Sequence, residues 1–93
     1  MLTRLFDIIE ARKRDRPEGS YTAQLLASGE DEILRKVHEE AQELILAAKS
    51  EGDQRVVEEL SDLYYHTLVL LAARDLSLAE VEAELRRRHE QRE

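Results

Sequence analysis

Strong helix breakers are rare in this chain and stand at four positions. Pro17, Gly19, Gly29 and Gly52 separate segments that consist mainly of Leu, Ala, Glu, Arg and Lys. These five residue types have high helix propensities, and within the segments the apolar residues recur every three or four positions. The chain is therefore predicted to be all-α.

The breakers also predict where the first two helices lie. One helix is expected over about residues 2–14, because apolar side chains recur along one face of it. Residues 16–22 then form a loop. A short second helix, with Thr22 as its N-cap, is expected to run to Ala27 and to end at the following glycine.

Three further helices account for the rest of the chain, two long ones and a last, highly charged one. The long helices are expected over about residues 30–49 and 53–74, joined by a turn at residues 50–53. The last helix begins at Ser77, where Ser77 and Glu80 form an S-x-x-E capping box.

The size and apolar content of the chain predict a homo-oligomer. A single domain spanning residues 1–93 hides only about 60 to 65% of the surface of its unfolded chain, so its core is small. The stretch LYYHTLVLLAA, residues 63–73, is nevertheless apolar on nearly every side of its helix. We therefore expect a homodimer or larger homo-oligomer, most simply a dimer in which the central helices of both subunits form a four-helix bundle.

The composition excludes several classes of partner. Acidic residues number 21 against 14 basic ones, and the formal net charge of -7 disfavours nucleic-acid binding by phosphate neutralisation. No apolar run is long enough for a signal peptide or a membrane span, and there is no cysteine for disulfides or thiolate ligands. We expect a cytoplasmic protein with neither a nucleic-acid nor a membrane partner.

The stretch HEEAQE, residues 38–43, gathers like charges on the first long helix. At this spacing Glu39, Glu40 and Glu43 repel one another, at a cost of roughly a few tenths of a kcal/mol per pair in an isolated helix. A rotation of about 100° per residue places them along one edge of the apolar stripe, with Glu40 at the edge of the core. That stripe consists of Ile33, Leu34, Val37, Ala41, Leu44, Ile45 and Ala48.

The stretch EELSD, residues 58–62, repeats this arrangement on the second long helix. Glu59, Asp62 and His66 fall on one flank of its apolar face. Because consecutive helices joined by a tight turn pack antiparallel, this flank can meet the acids of the preceding helix. The main apolar face of this helix consists of Val56, Val57, Leu60, Leu63, Tyr64, Thr67, Leu70 and Leu71.

Carboxylates that converge at the edge of an apolar core need compensation. They can take up protons at raised pKa values, pair with basic residues such as Arg35 and Lys36, or bind divalent cations. Oxygen ligands without cysteine suit Mg2+ or Mn2+. Spacing alone leaves the metal site and an ordinary charged helix surface equally open. His66 is predicted to be a hydrogen-bonded, half-buried histidine, with a metal ligand as the alternative.

The two acidic motifs have a counterpart in a known family. EExxE at residues 39–43, followed by ExxD at residues 59–62, resembles the signature of the all-α, MazG-like nucleotide pyrophosphohydrolases. The stretches GSYTAQLL, residues 19–26, and GEDEILRKVHEEAQE, residues 29–43, are similar more narrowly to the phosphoribosyl-ATP pyrophosphatases of histidine biosynthesis. The resemblance runs from Leu5 to about residue 88. His38 departs from it, since these proteins commonly have a small residue there.

The resemblance implies an activity and a set of residues for it. The activity is Mg2+-dependent hydrolysis of phosphoribosyl-ATP to phosphoribosyl-AMP and pyrophosphate, with water attacking between the α and β phosphates. The resemblance assigns Glu39 and Glu40 to catalysis, with Glu39 either a further metal ligand or the base that orients water. The implied metal ligands are Glu40, Glu43, Glu59 and Asp62, and the implied substrate contacts are Ser20, Tyr21 and Thr22. Lys36, one turn before Glu40 on the same flank, is a candidate phosphate contact, with an intrahelical ion pair to Glu40 as the alternative.

Two other functions remain open at this point. One is a MazG-like enzyme that hydrolyses canonical or damaged nucleoside triphosphates, which would share the acids and lack the GSYTAQLL loop. The other is a helical oligomerisation module without catalytic activity. The absence of a P-loop, a nucleophile elbow or a Ser/His/Asp constellation means that any catalysis must depend on metal ions and water.

Overall fold

The computed structural model describes residues 1–92 and confirms an all-α helical bundle. Two short helices precede a long helical hairpin, and a last helix follows it. Within the described residues there is no β-strand, and no helix has the length and apolar character needed to cross a bilayer. The helices are α1 (Leu2–Asp15), α2 (Tyr21–Ser28), α3 (Glu30–Ser50), α4 (Asp53–Ala73) and α5 (Leu78–Arg92).

Helices α3 and α4 form the hairpin that organises the molecule, and their mutual contact is the most extensive one. The turn between them closes where the N–H groups of Glu51 and Gly52 both donate to the Ala47 carbonyl, at 3.0 and 3.2 Å. Gly52 has a φ of 95°, a conformation that costs glycine little and other residues more. The predicted turn at residues 50–53 is thus confirmed.

The N-cap predicted from the sequence is found at α5 but not at α2. At α5, the Glu80 N–H donates to Ser77 Oγ at 3.2 Å and the Ser77 N–H donates to Glu80 Oε2 at 2.8 Å, which confirms the capping box. At α2, the prediction of Thr22 as N-cap is wrong. Ser20 takes that position and accepts a hydrogen bond from the Ala23 N–H at 3.1 Å, because α2 begins one residue before Thr22.

The hydrophobic core lies where α1 and α2 pack against the half of the hairpin that is farthest from its turn. Ile9, Ile33 and Val69 are its most deeply buried large side chains, each stabilising the fold by about 1.5–3 kcal/mol relative to an exposed position. Lys13 secures the end of α1 by donating to the Ala72 carbonyl at 2.7 Å and pairing with Asp75. Arg16 donates from Nε to the Lys13 carbonyl at 3.0 Å, so its side chain caps the C-terminal end of α1.

The faces that α3 and α4 bury differ from the predicted ones. The hairpin buries Glu40 and Ala47 of α3, and Glu59 and His66 of α4, all from the predicted flanks or beside them. Residues of the predicted stripes remain exposed, including Leu34, Ile45, Val57 and Tyr64. The predicted stripes are therefore divided, because the two helices meet along the acidic flank. Ile33 lies in the core of the single chain, whereas Leu34, Ile45, Val57 and Tyr64 face outward from the subunit.

Helix α5 contributes no buried residue among its described positions. Together with α4 and the start of α1 it lines an apolar groove of about 480 Å³. The groove is lined mainly by Leu2, Tyr64, Leu68, Leu71, Val81 and Leu85. The single chain therefore exposes apolar side chains in this groove and on the outward side of the hairpin, and Tyr64 belongs to both.

Candidate metal centre

Three carboxylates from the two long helices converge inside the hairpin. Oxygen atoms of Glu40 and Glu43 on α3 and of Glu59 on α4 all lie within 4.8 Å of one another. Glu40 and Glu43 are three residues apart, so both lie on the same side of α3, and the antiparallel pairing brings Glu59 opposite them. The predicted convergence of the two acidic motifs is thus confirmed for these three residues.

Burial makes this cluster different from a charged surface. Only 5% of Glu40 and 3% of Glu59 is exposed, whereas Glu43 is open to solvent. Within residues 1–92, Glu40 Oε2 and Glu59 Oε2 are buried and receive no hydrogen bond. Buried carboxylate oxygens are normally hydrogen-bonded, because leaving one unpaired costs about 1–3 kcal/mol or more. Two such oxygens in one cluster are what an oxygen-ligated cation site requires.

Basic side chains, one on each of the two helices, partly neutralise the negative charge of the cluster. On α3, the Lys36 ammonium lies 3.5 Å from Glu40 Oε1 and donates to Glu39 Oε1 at 3.1 Å. On α4, the Arg55 guanidinium pairs with both Glu58 and Glu59. Each of the two buried acids therefore has one oxygen beside a cation and the other without a partner.

The remaining repulsion is reflected in the titration of the acids. Burial raises the pKa of Glu59, the neighbouring Glu43 carboxyl raises it further, and the Arg55 charge opposes both. In contrast, hydrogen bonding to Lys36 lowers the pKa of Glu39. A divalent cation between Glu40, Glu43 and Glu59 would oppose the raised pKa of Glu59, because its charge favours the ionised form. The donor set therefore fits Mg2+ or Mn2+.

Asp62 and Glu39 lie outside this group of three. Asp62 is one turn beyond Glu59 on α4, exposed, and near enough for its charge to contribute to the raised pKa of Glu59. Glu39 is directed toward its own helix, where Arg35 Nη1 donates to it at 2.9 Å and Lys36 at 3.1 Å. Both remain within the same part of the hairpin, and neither is brought to ligand distance of all three clustered oxygens.

The three residues of the loop motif form contacts inside the fold. The Ser20 hydroxyl caps α2, and the Thr22 hydroxyl pairs with the Tyr65 hydroxyl. The Tyr21 hydroxyl lies 3.1 Å from His66 Nε2, and its ring is half exposed. Burial raises the pKa of Tyr21, Lys36 lowers it, and the charge of Glu40 raises it. The start of α2 is thereby placed beside the acidic cluster.

His66 is buried and hydrogen-bonded, as predicted from the sequence. Its Nδ1 lies 2.7 Å from the Asp62 carbonyl oxygen, and its Nε2 is occupied by Tyr21. With both ring nitrogens engaged, His66 is not among the groups that converge on the candidate cation site. The geometry therefore does not support the alternative that His66 is a metal ligand.

The role of Arg55 and the contact made by Tyr65 in this region were not predicted from the sequence. Arg55 lies four residues before Glu59, and that i, i+4 spacing is a signal that could have identified it. Tyr65 pairs with Thr22 across 43 residues of sequence, and its ring lies 6.3 Å from that of Tyr21. No local spacing indicates such a contact.

Comparison with known proteins agrees with this geometry. Residues 2–89 match the family described as phosphoribosyl-ATP pyrophosphohydrolase. Over 88 residues the chain is 54% identical to the phosphoribosyl-ATP pyrophosphatase of Metallosphaera sedula, covering 95% of each chain. It is 50% identical to that of Nitrosospira multiformis, covering 95% of this chain and 73% of the relative. For the Bacillus cytotoxicus protein of the same name the identity is 46%, covering 95% and 82%.

Proposed function

Because the chain belongs to the phosphoribosyl-ATP pyrophosphohydrolase family, we propose that it hydrolyses phosphoribosyl-ATP to phosphoribosyl-AMP and pyrophosphate, the second step of histidine biosynthesis. The observation that carries this proposal is the pair of buried, unpartnered carboxylate oxygens of Glu40 and Glu59 beside Glu43. An acidic protein that acts on a polyphosphate needs a source of positive charge, and this cluster can hold one.

In this proposal Glu40, Glu43 and Glu59 hold Mg2+, and Asp62 is the fourth ligand. Mn2+ has similar ligand preferences and could replace it. When bound, Mg2+ supplies positive charge against the phosphates and lowers the pKa of the attacking water. The half-open position of the cluster supports this role, since Glu43 and Asp62 are exposed while Glu40 and Glu59 are buried. Substrate can therefore approach from the exposed side.

The chain's own residues complete the site. Glu39 and Glu40 are the catalytic carboxylates, with Glu39 either a further ligand or the base that orients water. Glu39 is ionised at neutral pH, since its ordinary pKa of 4.5 is lowered further by the hydrogen bond from Lys36, and both roles require the ionised form. Lys36, whose pKa is raised mainly by its hydrogen bond to Glu39, stays charged and can contact a phosphate. Ser20, Tyr21 and Thr22 shape the pocket at the start of α2.

We also propose that the enzyme is a homodimer with a four-helix core formed by α3 and α4 of both subunits. The support is the outward apolar face of the hairpin. On α3, 55% of Ile45 is exposed, and on α4, 60% of Val57 and 48% of Tyr64 are exposed. Large apolar side chains exposed on both helices of a hairpin are typical of an interface, and a second hairpin would bury them. The lack of cysteine and the biosynthetic role are consistent with a cytoplasmic enzyme.

A release assay tests the proposed reaction. Purified protein with Mg2+ is expected to release pyrophosphate from phosphoribosyl-ATP much faster than from dUTP or dCTP. Preferential hydrolysis of dUTP or dCTP would contradict the assigned substrate and indicate a MazG-like nucleoside triphosphate pyrophosphohydrolase. Absence of hydrolysis of all three, with Mg2+ and with Mn2+, would contradict an enzymatic function.

A further inference from the structure

The hydrogen bonds of His66 determine which way the Tyr21 proton points. The Asp62 carbonyl oxygen, 2.7 Å from Nδ1, can only accept, so Nδ1 carries the ring proton. In the neutral ring Nε2 is then an acceptor. The Tyr21 hydroxyl, 3.1 Å from Nε2, must therefore donate its proton to His66.

Burial holds this arrangement in place. Only 6% of His66 is exposed, and its ring packs edge-on against Tyr65 and Tyr21, with centroids 5.0 and 6.1 Å apart. Tyr65 is in turn fixed by its hydroxyl contact with Thr22. A buried ring with both nitrogens bonded and aromatic neighbours on its edges has little freedom to rotate or change tautomer.

Tyr21 is different, because half of it is open to solvent. Its exposed fraction is 50%, and its hydroxyl lies near enough to Lys36 and Glu40 for both charges to act on it. With its only proton committed to His66, the phenol oxygen can offer nothing but lone pairs to a bound molecule. An approaching hydrogen-bond donor is accepted there, whereas a phosphate oxygen would meet a second acceptor.

We propose that His66 is a positioning residue that turns the Tyr21 proton inward, so that Tyr21 accepts a hydrogen bond from a donor on the substrate's ribose or base. This proposal rests on the proposed function. It gives Tyr21 a role in recognising the nucleoside part of the substrate, and it separates that role from phosphate binding by Lys36. His66 acts through Tyr21 and does not touch the substrate.

The kinetics of four variants and one control test whether His66 acts through Tyr21. Removing one hydrogen bond is worth about 0.5–1.5 kcal/mol, so Tyr21→Phe is expected to raise KM roughly three- to tenfold with kcat nearly unchanged. His66→Phe should raise KM by a similar factor, and the double variant should be no worse than Tyr21→Phe alone. His66→Gln, whose amide oxygen can accept the Tyr21 proton, should recover part of the loss. The surface variant His38→Gln is the control.

Several results would overturn the proposal. One is a folded His66→Phe protein, checked by circular dichroism, whose KM equals that of the unmodified enzyme. Another is an additive loss in the double variant, because independent effects would mean that His66 does not act through Tyr21. A lowered kcat with unchanged KM in Tyr21→Phe would also contradict it, since that pattern indicates a contact made only in the transition state.

Competitive inhibitors identify the donor. If it is a hydroxyl of the adenosine ribose, Tyr21→Phe weakens binding of AMP and leaves binding of 2′,3′-dideoxy-AMP unchanged. If it is the base amino group, both AMP compounds bind more weakly to the variant. If neither is affected while KM for phosphoribosyl-ATP rises, the donor belongs to the second ribose. Unchanged KM together with unchanged inhibitor binding would refute the contact.

A measurement without substrate separates this proposal from the proposed function. Long-range proton–nitrogen correlation spectra of histidine-labelled protein report the tautomer, and the His66 signals are those lost in His66→Gln. The expected result is a proton on Nδ1 and a bare Nε2 whose shift changes in Tyr21→Phe. A proton on Nε2 would overturn the positioning role even in an active enzyme. Conversely, this tautomer in a protein without pyrophosphate release would leave the bond intact and refute the function.

Discussion

Glu40 of α3 and Glu59 of α4 lie opposite one another across the hairpin, and each buries one carboxylate oxygen that receives no hydrogen bond from the first 92 residues. Each places its other oxygen beside a cation of its own helix, Lys36 for Glu40 and Arg55 for Glu59. The two intrahelical pairs neutralise one oxygen of each acid and leave the other oxygen uncompensated. A divalent cation held between the helices would therefore stabilise the hairpin.

The assignment of Asp62 as the fourth ligand is tested by Asp62→Asn. This change keeps the size of an exposed side chain and removes one charge from the metal site. We expect pyrophosphate release to fall at least about tenfold, as losses of supporting metal contacts commonly do, while the melting temperature without metal is unchanged or higher. Full turnover by Asp62→Asn would remove this residue from the site.

Ser20 has a structural role that the sequence did not predict. Because its hydroxyl accepts the Ala23 N–H, Ser20→Ala should destabilise the protein by about 1 kcal/mol, measured by urea unfolding. Ser20→Asp provides the matched control, since aspartate is an equally good N-cap and should retain the stability. Equal stability of the alanine variant and the unmodified protein would show that the cap contributes nothing.

The outward face of the hairpin predicts how assembly can be disrupted. Val57→Asp places a charge in the middle of the exposed apolar surface, so sedimentation should show a shift from dimer toward monomer at micromolar concentration. Arg4→Glu, which also adds negative charge on an exposed position of α1, is the control and should leave the dimer intact. A monomeric unmodified protein, or a Val57→Asp protein that dimerises normally, would contradict the proposed interface.

Helix α5 predicts a pH effect that is separate from the metal site. Hydrogen bonds from Arg87 and Arg88 lower the pKa of Glu84 to about 2, from an ordinary value of 4.5. A carboxyl whose folded pKa is lowered stabilises the folded form above its unfolded pKa, and this contribution is lost as the pH falls from 4.5 toward 2. The difference in helicity at 222 nm between the unmodified protein and Glu84→Gln should therefore be constant above pH 5 and vanish near pH 2.

A pH-independent difference between these two proteins would contradict the role of the Glu84 carboxylate. Helix propensity alone should produce little difference between the two proteins at any pH, since glutamate and glutamine differ little in that respect. Salt provides a second check. The pairs are exposed, so the difference should shrink at high ionic strength.

The fold was predictable because its determinants are local. Helix propensity, the glycine at residue 52 and the capping box of Ser77 and Glu80 act within a few residues of sequence, and each was located correctly. The N-cap of α2 was misplaced by two residues, from Ser20 to Thr22. Both residues are good N-caps, and the choice between them depends on where the preceding loop enters the helix.

The orientation of the long helices was less predictable. Apolar residues nearly surround the second half of α4, so spacing alone does not decide which side of it packs inside the subunit and which remains for a partner. In the structure Glu40 and Glu59 face inward while Ile45 and Val57 face outward. The acids could still be identified, because their i, i+3 spacing puts them beside an apolar stripe in either orientation. The contact of Tyr21 with His66 depends on how α2 packs on α4, which spacing does not encode.

The central claim is that Glu40, Glu43 and Glu59 hold a divalent cation, and metal-dependent melting tests it most directly. Titration of Mg2+ or Mn2+ should raise the melting temperature of the unmodified protein, by the equivalent of about 2.7 kcal/mol at a hundredfold excess over Kd. Glu58→Gln, next to the site on the exposed side of α4, should respond in the same way. In Glu40→Gln and Glu59→Gln the metal-free protein should be at least as stable, and the response to metal should be lost. An unmodified protein whose melting temperature ignores both metals, or a Glu40→Gln protein that responds fully, would contradict the account.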